Sequence, residues 1–551
     1  MPKDATVVLK VEKPRALVEA VRSLDAYREY EALPQVKDAL ESTTARRFFQ
    51  FLALAEEKLG EKWPALLDSV AGGGVAVGAV AGGENAPALL VVQGTDETKS
   101  SAAYKLMVDL IAAEFARLSP PGTTLKPETG TAMGAEMIKV GEDFFAAHAK
   151  GTILVANRKA ALEKGLALLA GEKGAESVLA NPGVPAGRKL IGGDPMGWFW
   201  FDLKKAKEDK AFSDFLETAR TQGFLLFVLG STTDAVRRAD SVAGGLFQTN
   251  SGFKLSVKLP AKRADLPAVM ALHAPLKGET HGSLPFLEPP GVLVSHSMYL
   301  DVAAFWKQRK TALGEQELKD LEAFEKQISS VLPNTTLGGV IEASGPHHRL
   351  VLVERGANQY KTVPDFPLPE MAVVSSMRDP KFGKDVLAAV RTFALVGSLQ
   401  YGLALKEEKH DGIDLLTYRF PDGKSLPEDP TNIRYNFVPS FAVVGESFVM
   451  ASSPRLLKDL IPELKKPIDE TKCSPAVWRA QGYGSGAAAA VKARPEAAIT
   501  DSVLSQGVGL DEAKKQLDQL AALLGKLGTV GVTIDHGEKA FTFEVDWQLK
   551  K

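Results

Sequence analysis

The sequence has 551 residues, too many for one hydrophobic core, so length alone predicts roughly two to four domains. Its 66 basic and 68 acidic residues leave a net charge of −2. This balance argues against nucleic acid as the main partner, because phosphate binding needs a concentrated basic surface. The 45% hydrophobic fraction is that of an ordinary folded protein, not of a disordered or fibrous chain.

Cysteine content and hydropathy indicate which kinds of protein can be excluded. The single cysteine, Cys473, excludes an intramolecular disulfide. No run of about eighteen apolar residues is present, so no transmembrane segment is expected. The chain enters an apolar strand at 5–11 almost at once, whereas natural chains usually fray first. We therefore expect that an export signal or anchor has been left out of this sequence.

The first predicted element is an alternating strand at 7–11 that leads into an amphipathic helix. Alternation predicts a strand with one buried and one wet face. The same strand-to-helix pattern returns at 292–302. Two further strands follow at 74–80 and 87–92, and we match them to 336–342 and 348–353, with 344–347 as the second turn.

A hairpin that feeds a helix occurs twice, at 146–162 and 441–457. A small polar residue stands between strand and helix, Asn157 in the first copy and Ser452 in the second. Such residues accept hydrogen bonds from the free amides of a first helical turn, so both are predicted to cap their helices. Pro454 fits an early helical position.

Four aromatic residues in a row form the most unusual predicted strand. Alternation places Trp198 and Trp200 on one face and Phe199 and Phe201 on the other. One interpretation is a central strand covered by helices, and the other is a face that lines a groove for an apolar ligand or partner. The predicted second-half counterpart is the alanine strand 487–490, which leaves room for a cavity suited to a lipid or a hydrophobic peptide.

A closing hairpin predicted at 246–258 corresponds to a second one at 532–545. Long helices are predicted at 101–117, 313–330, 384–395 and 511–526. Four similar blocks in the same order predict an α+β fold of two tandem related halves. Each half is expected to be a curved, mostly antiparallel sheet backed by helices. We place the halves at 1–275 and 285–551, with a linker at 274–285.

The sequence motifs of common active sites are absent. The eight histidines include no His-x-x-x-His or His-Glu-x-x-His string, and the adjacent His347 and His348 would point to opposite faces of a strand. Ser485 in 482–486 lies one residue away from the Gly-x-Ser-x-Gly pattern, and its glycines are interpreted as a turn before the alanine strand. We therefore predict no catalytic residue, no cofactor site and no metal site.

The opening phrase Pro2–Thr6 and the hairpin endings Ile153–Asn157 and Phe448–Ser452 are the motifs that carry a resemblance. On them, the chain resembles an uncharacterised family of exported bacterial proteins with duplicated α+β halves. The resemblance implies an extracytoplasmic location, in the periplasm or at the cell surface, often behind a signal peptide or a lipid anchor. It implies no activity.

These observations lead to one functional hypothesis and two alternatives. The first is a non-enzymatic extracytoplasmic protein of the bacterial cell envelope that binds a protein partner or forms part of an envelope assembly. The second is a carrier of an apolar ligand, a lipid or a hydrophobic peptide, motivated by the aromatic strand. The third is a hydrolase whose site is formed by scattered loops.

Overall fold

The computed structural model describes residues 1–82, 85–118, 127–221, 223–275, 281–329, 332, 335–356, 359–423 and 428–549. The chain forms two compact units. The first contains Met1–Asp214 and Arg238–Ala261, and the second contains Phe215–Arg237 and Lys262–Lys550. The boundaries of these units differ from those of the predicted halves, since residues 215–237 and 262–275 belong to the second unit.

Ten strands in the described part of the first unit form an antiparallel sheet. They are β1 (Val7–Val11), β2 (Gly74–Ala79), β3 (Ala88–Gln93), β4 (Glu128–Ala132), β5 (Ala135–Val140), β6 (Phe144–Ala149), β7 (Thr152–Ala156), β8 (Gly197–Asp202), β9 (Ser241–Gln248) and β10 (Gly252–Leu259). Neighbours pair in the order β10–β9–β8–β1–β2–β3–β7–β6–β5–β4. The strand β1 is therefore an interior strand of this sheet.

Helices cover parts of both faces of the first sheet. The first unit contains α1 (Pro14–Arg22), α2 (Asp25–Ala32), α3 (Pro34–Glu41), α4 (Thr43–Leu59), α5 (Leu66–Ala71), α6 (Glu97–Leu118), α7 (Lys159–Ala170), α8 (Gly183–Ile191) and α9 (Leu203–Ala206), and α10 (Lys210–Thr221) spans the boundary between the units. On one face, α7 packs through Leu162 and α8 through Val184. On the other face, Tyr104 of α6 donates a hydrogen bond to the Ala146 carbonyl, at 3.1 Å.

The described part of the second unit also contains ten antiparallel strands. They are β11 (Val292–Tyr299), β12 (Ser344–Val353), β13 (Glu370–Met377), β14 (Ala404–His410), β15 (Ile413–Arg419), β16 (Ser440–Val444), β17 (Ser447–Ala451), β18 (Trp478–Tyr483), β19 (Thr529–His536) and β20 (Phe541–Gln548). Their pairing order is β20–β19–β18–β11–β12–β13–β17–β16–β15–β14. Strand for strand, this is the same order as in the first unit.

The helices of the second unit again lie on both faces of the sheet. They are α11 (Gly223–Arg238), α12 (Val302–Ala312), α13 (Glu315–Ser329), α14 (Leu337–Ala343), α15 (Lys381–Tyr401), α16 (Pro454–Leu464), α17 (Gly484–Ala493), α18 (Pro495–Gln506) and α19 (Leu510–Lys526). Leu457 of α16 packs on one face, and Val390 of α15 packs against Leu416 on the other. The predicted α+β class, with antiparallel sheets backed by helices, is confirmed.

The two predicted hairpin-to-helix joins are present, but the predicted helix caps are wrong. The Asn157 Oδ1 atom accepts a hydrogen bond from the Ala88 amide of β3, at 2.8 Å. In the same way, Ser452 Oγ accepts one from the Met371 amide of β13, at 2.9 Å. Each polar side chain therefore extends the sheet by one more bond instead of capping a helix. The cap of α16 is the next residue, Ser453.

The predicted strand at 336–342 is the helix α14, and the predicted turn at 344–347 belongs to β12. Thr336 Oγ1 accepts a hydrogen bond from the Gly339 amide, at 3.1 Å, and so caps this helix. A Cβ atom on Gly338 would lie 2.8 Å from the Trp306 indole nitrogen. Close packing against α12 selects the helix here, which local sequence could not reveal.

The predicted alanine strand at 487–490 is wrong, because these residues lie within the helix α17. Alanine has the highest intrinsic helix propensity. A Cβ atom on Gly486 would lie 2.1 Å from the Val292 carbonyl oxygen, so the glycine allows the start of this helix to approach β11 closely. The strand that occupies the place of β8 in the second sheet is β18.

The predicted linker at 274–285 lies partly outside the described residues, at 276–280. Its last residues are packed into the second unit. The Ser283 amide donates to the Ser474 carbonyl, at 3.0 Å, and Ser283 Oγ accepts a hydrogen bond from Arg479, at 2.8 Å. The described end of this stretch is thus part of the second unit's structure rather than a free connection.

Candidate functional site

The tryptophans of β8 lie in the core of the first unit. Trp200 is 1% exposed and packs with Val184 and Ile191 of α8. Trp198 is also buried, and its indole N–H donates to Glu12 Oε1, at 2.7 Å. On this face of β8 the helix α8 fills the space.

The phenylalanines of β8 stand on the opposite face and are only half-buried. Phe199 lies opposite Leu9 of β1, and Leu9 lies opposite Val77 of β2. Leu9 is 48% exposed and Val77 is 38% exposed, although β1 and β2 are both interior strands of the sheet. Large apolar side chains in the middle of this sheet are therefore open to solvent.

We call this surface the first apolar face. Antiparallel sheets that face water normally carry polar side chains on the wet side. Here many of the half-buried or exposed side chains on five adjacent strands are aliphatic or aromatic, among them Val7, Leu9, Val11, Val75, Val77, Phe199, Phe201, Val242, Leu246, Leu255 and Val257. Continuous exposed apolar surface of this kind is typical of sites that bind a ligand, a partner or a membrane.

The second unit has a similar surface, which we call the second apolar face. It consists of Val294, Met298, Leu350, Leu352, Met371, Val373, Met450, Trp478, Val530, Val532, Phe543 and Val545. The histidine His296 lies among these residues and contacts the Trp478 ring, at 4.7 Å between ring centroids. Burial lowers the pKa of His296 to about 4, so it is neutral at pH 7 and keeps the surface uncharged.

Exposed apolar side chains also occur on two helices. On α15 they are Phe393, Leu395, Val396, Leu399 and Tyr401, and on α4 they are Phe48, Phe49 and Phe51. No described helix is long and apolar enough to cross a membrane.

A cleft of about 1780 Å³ lies in the second unit, on the face of the sheet that α16 covers. Its walls include Arg349 of β12, Arg479 and Gln481 of β18, and the segment 466–474. Unlike the two apolar faces, this cleft is lined largely by polar and charged groups.

Three potential metal ligands meet at this cleft. The donor atoms of His281, Glu470 and Cys473 lie within 4.8 Å of one another. Nitrogen, oxygen and sulfur donors of this kind suit zinc. Burial raises the pKa of the Cys473 thiol, which favours its neutral form when no metal is bound. His281 also forms an ion pair with Glu470 when it is protonated, so these two side chains have partners without a metal.

Sequence reasoning missed the cleft because its residues are far apart in the chain. His281 and Glu470 are separated by almost two hundred residues, and Arg349 has no motif around it. One signal was available. The segment between the hairpin helix and the next strand is half as long in the second unit, 465–477, as in the first, 171–196.

No protein-family model and no curated protein matches this chain. Two crystal forms of TP0453 are similar solved structures. Form I shares 11% identity at a TM-score of 0.23, covering 48% of this chain and 79% of that one. Form III has the same identity and TM-score and covers 51% of this chain and 90% of that one.

Proposed function

We propose that this protein is a non-enzymatic, extracytoplasmic binding protein of the bacterial cell envelope whose ligand is the acyl chain of a lipid. The ligand would lie on the first apolar face. The extracytoplasmic location rests on the resemblance of the opening phrase and hairpin endings to exported bacterial proteins. The binding of an apolar ligand rests on the surface chemistry of the sheet.

The observation that carries the proposal is the exposure of Leu9 in an interior strand. Its strand is paired on both sides, so the side chain is exposed because no described segment covers this part of the sheet face. Covering apolar surface stabilises a complex by about 25 cal/mol per Å². An acyl chain is long, apolar and without hydrogen-bond needs, which suits a surface that offers aliphatic and aromatic side chains and few polar groups.

The experiment measures binding of a fluorescent polyene fatty acid to the full chain and to the variant Leu9→Lys. We expect the wild type to bind the fatty acid and the variant to bind it at least about tenfold more weakly, equivalent to about 1.4 kcal/mol. The charge would lie in the path of the acyl chain. Folding should persist, because Leu9 is already half exposed in the free protein.

Leu179→Lys is the matched control, since Leu179 is exposed but lies outside the sheet. This variant should bind as the wild type does. Equal fatty-acid affinity in Leu9→Lys and the wild type would contradict the proposal, as would the absence of any bound fatty acid.

A protein partner is the second candidate. The exposed apolar residues of α15, such as Phe393 and Leu399, favour it, because an uncovered helix surface of this kind is typical of protein-binding sites. The test is whether Leu399→Lys abolishes co-purification of a partner from envelope extracts while fatty-acid binding is retained.

We also infer that the two units are copies of one ancestral unit. Identical pairing order and the equivalent roles of Asn157 and Ser452 support this. A sequence profile built from homologues of the first unit should then align with the second unit through β18, and not through the alanines of α17. Alignment of the profile to no part of the second unit would argue against duplication.

A further inference from the structure

The cleft in the second unit occupies a place that a helix fills in the first. In the first unit α8 packs on the tryptophans of β8. In the described part of the second unit, the segment 465–477 contains only a short 3₁₀ turn, Glu470–Lys472, and no helix takes the place of α8. The sheet surface that α8 would cover is therefore open to the cleft.

Polar residues take the place of the tryptophans there. Trp198 lies opposite Lys10 in a ladder of five residue pairs between β1 and β8, and Arg479 lies opposite Ser297 at the same step of the ladder between β11 and β18. By the same count, Gln481 replaces Trp200. The open surface is polar where the covered one is apolar.

Arg349 of β12 lies directly opposite Ser297 of β11, on the side of Ser297 away from Arg479. It is 8% exposed and lines the cleft. Its guanidinium forms no hydrogen bond or ion pair with any described residue, although a buried cation normally requires a partner. Burial lowers the pKa of Arg349 to about 10, and the nearby Glu463 carboxylate opposes that shift without contacting the group.

Two neighbours complete the arrangement. Ser297 is fully buried, and its hydroxyl has no hydrogen-bond partner. Arg479 is held in place by Ser283 Oγ and by the Leu284 carbonyl, each at 2.8 Å, and it adds a second positive charge to the row. Side chains directly opposite one another on adjacent strands have Cβ atoms about 5 Å apart, so the three groups face one small volume.

We propose that Arg349, Ser297 and Arg479 form a binding site for an anionic group, the phosphate or carboxylate of a small molecule that enters through the cleft. The Arg349 guanidinium is the main donor, because its planar fork matches both anions. Ser297 does not itself line the cleft, but it stands on the middle strand between the two arginines. This site is independent of the proposed acyl-chain site, since its three residues belong to the second unit and the first apolar face belongs to the first unit.

The experiment is calorimetric titration of the full chain with inorganic phosphate and, separately, with acetate. We expect at least one of them to bind, and the one that binds identifies the group. Arg349→Met should weaken that binding at least tenfold and leave the thermal unfolding midpoint unchanged or higher, because a buried unpaired charge is removed. Ser297→Ala should weaken it by a smaller factor at unchanged stability.

Arg391→Met is the matched control, because Arg391 is an exposed arginine of the same unit paired with Glu407. It should bind the anion as the wild type does. Binding of neither anion up to about 10 mM would overturn the proposal, as would unchanged affinity in Arg349→Met. A marked loss of stability in Glu463→Gln would also overturn it, since Glu463 would then be the structural partner of Arg349.

Discussion

The strands β8 and β18 occupy the same place in two sheets of identical strand order, yet their surroundings differ. Beside β8, the segment 171–196 contains the helix α8, which packs on Trp198 and Trp200. Beside β18, the shorter segment 465–477 leaves the strand open to a cleft. A difference in the length of one connecting segment thus separates a filled core from an open polar cleft on the same framework.

The residue types on β8 and β18 match this difference in coverage. Where the helix covers the sheet, the ladder carries tryptophans, whose burial contributes to stability. Where the helix is missing, the ladder carries Arg479 and Gln481, which tolerate water. Chain length and residue type therefore agree: the segment beside β18 is short, and the side chains that it leaves open are polar.

The largest expected effect tests the filled side of the comparison. Trp200→Ala should lower the free energy of unfolding by about 3–5 kcal/mol, because it empties a large volume under α8. Gln481→Ala at the corresponding position should lower it by only about 0.5 kcal/mol, because the side chain borders an open cleft. Urea unfolding followed by circular dichroism measures both. Equal losses in the two variants would break the comparison.

A smaller effect tests the contact between α8 and the sheet. A Cβ atom on Gly187 would lie 2.9 Å from the Trp200 ring and 3.1 Å from the Ala243 Cβ atom. We therefore expect Gly187→Val to destabilise the first unit by about 1–3 kcal/mol through overpacking. Ala186→Val on the exposed side of α8 is the control for helix propensity. If both variants unfold at the same urea concentration, α8 is not closely packed on β8.

The third prediction concerns the pH dependence of stability. His296 takes the place of Leu9 in the five-pair ladder, and burial lowers the pKa of His296 to about 4. The unfolded histidine binds its proton near pH 6.5, so the folded state loses stability as the pH falls from about 6.5 towards 4. His296→Leu should reduce this loss by at most about 1.4 kcal/mol per pH unit. Parallel stability profiles for variant and wild type between pH 7.5 and 4 would contradict this assignment.

Much of the fold could be predicted from the sequence. Alternation and helical periodicity correctly gave the strands at 7–11 and 74–80, the closing hairpins and the long helices α6 and α19. The errors occurred at 336–342, where Gly338 packs closely on Trp306 of α12 within a helix, and at the alanine run 487–490. That run was assigned to a strand although alanine favours helix, and Gly486 lets the helix α17 start close to β11.

The candidate sites were less predictable. Alternation correctly separated Trp198 and Trp200 from Phe199 and Phe201, but it could not tell which pair is covered, since both faces are apolar. The row of Arg349, Ser297 and Arg479 depends on strand pairing between residues far apart in the chain.

Short-range periodicity and turn chemistry were enough to predict the α+β class and the positions of many strands and helices. Which faces of the sheets are covered, and which side chains meet in the cleft, depended on the tertiary structure. Coverage depends on the packing of distant segments such as α8, and an unpaired buried charge such as Arg349 is defined only by what surrounds it.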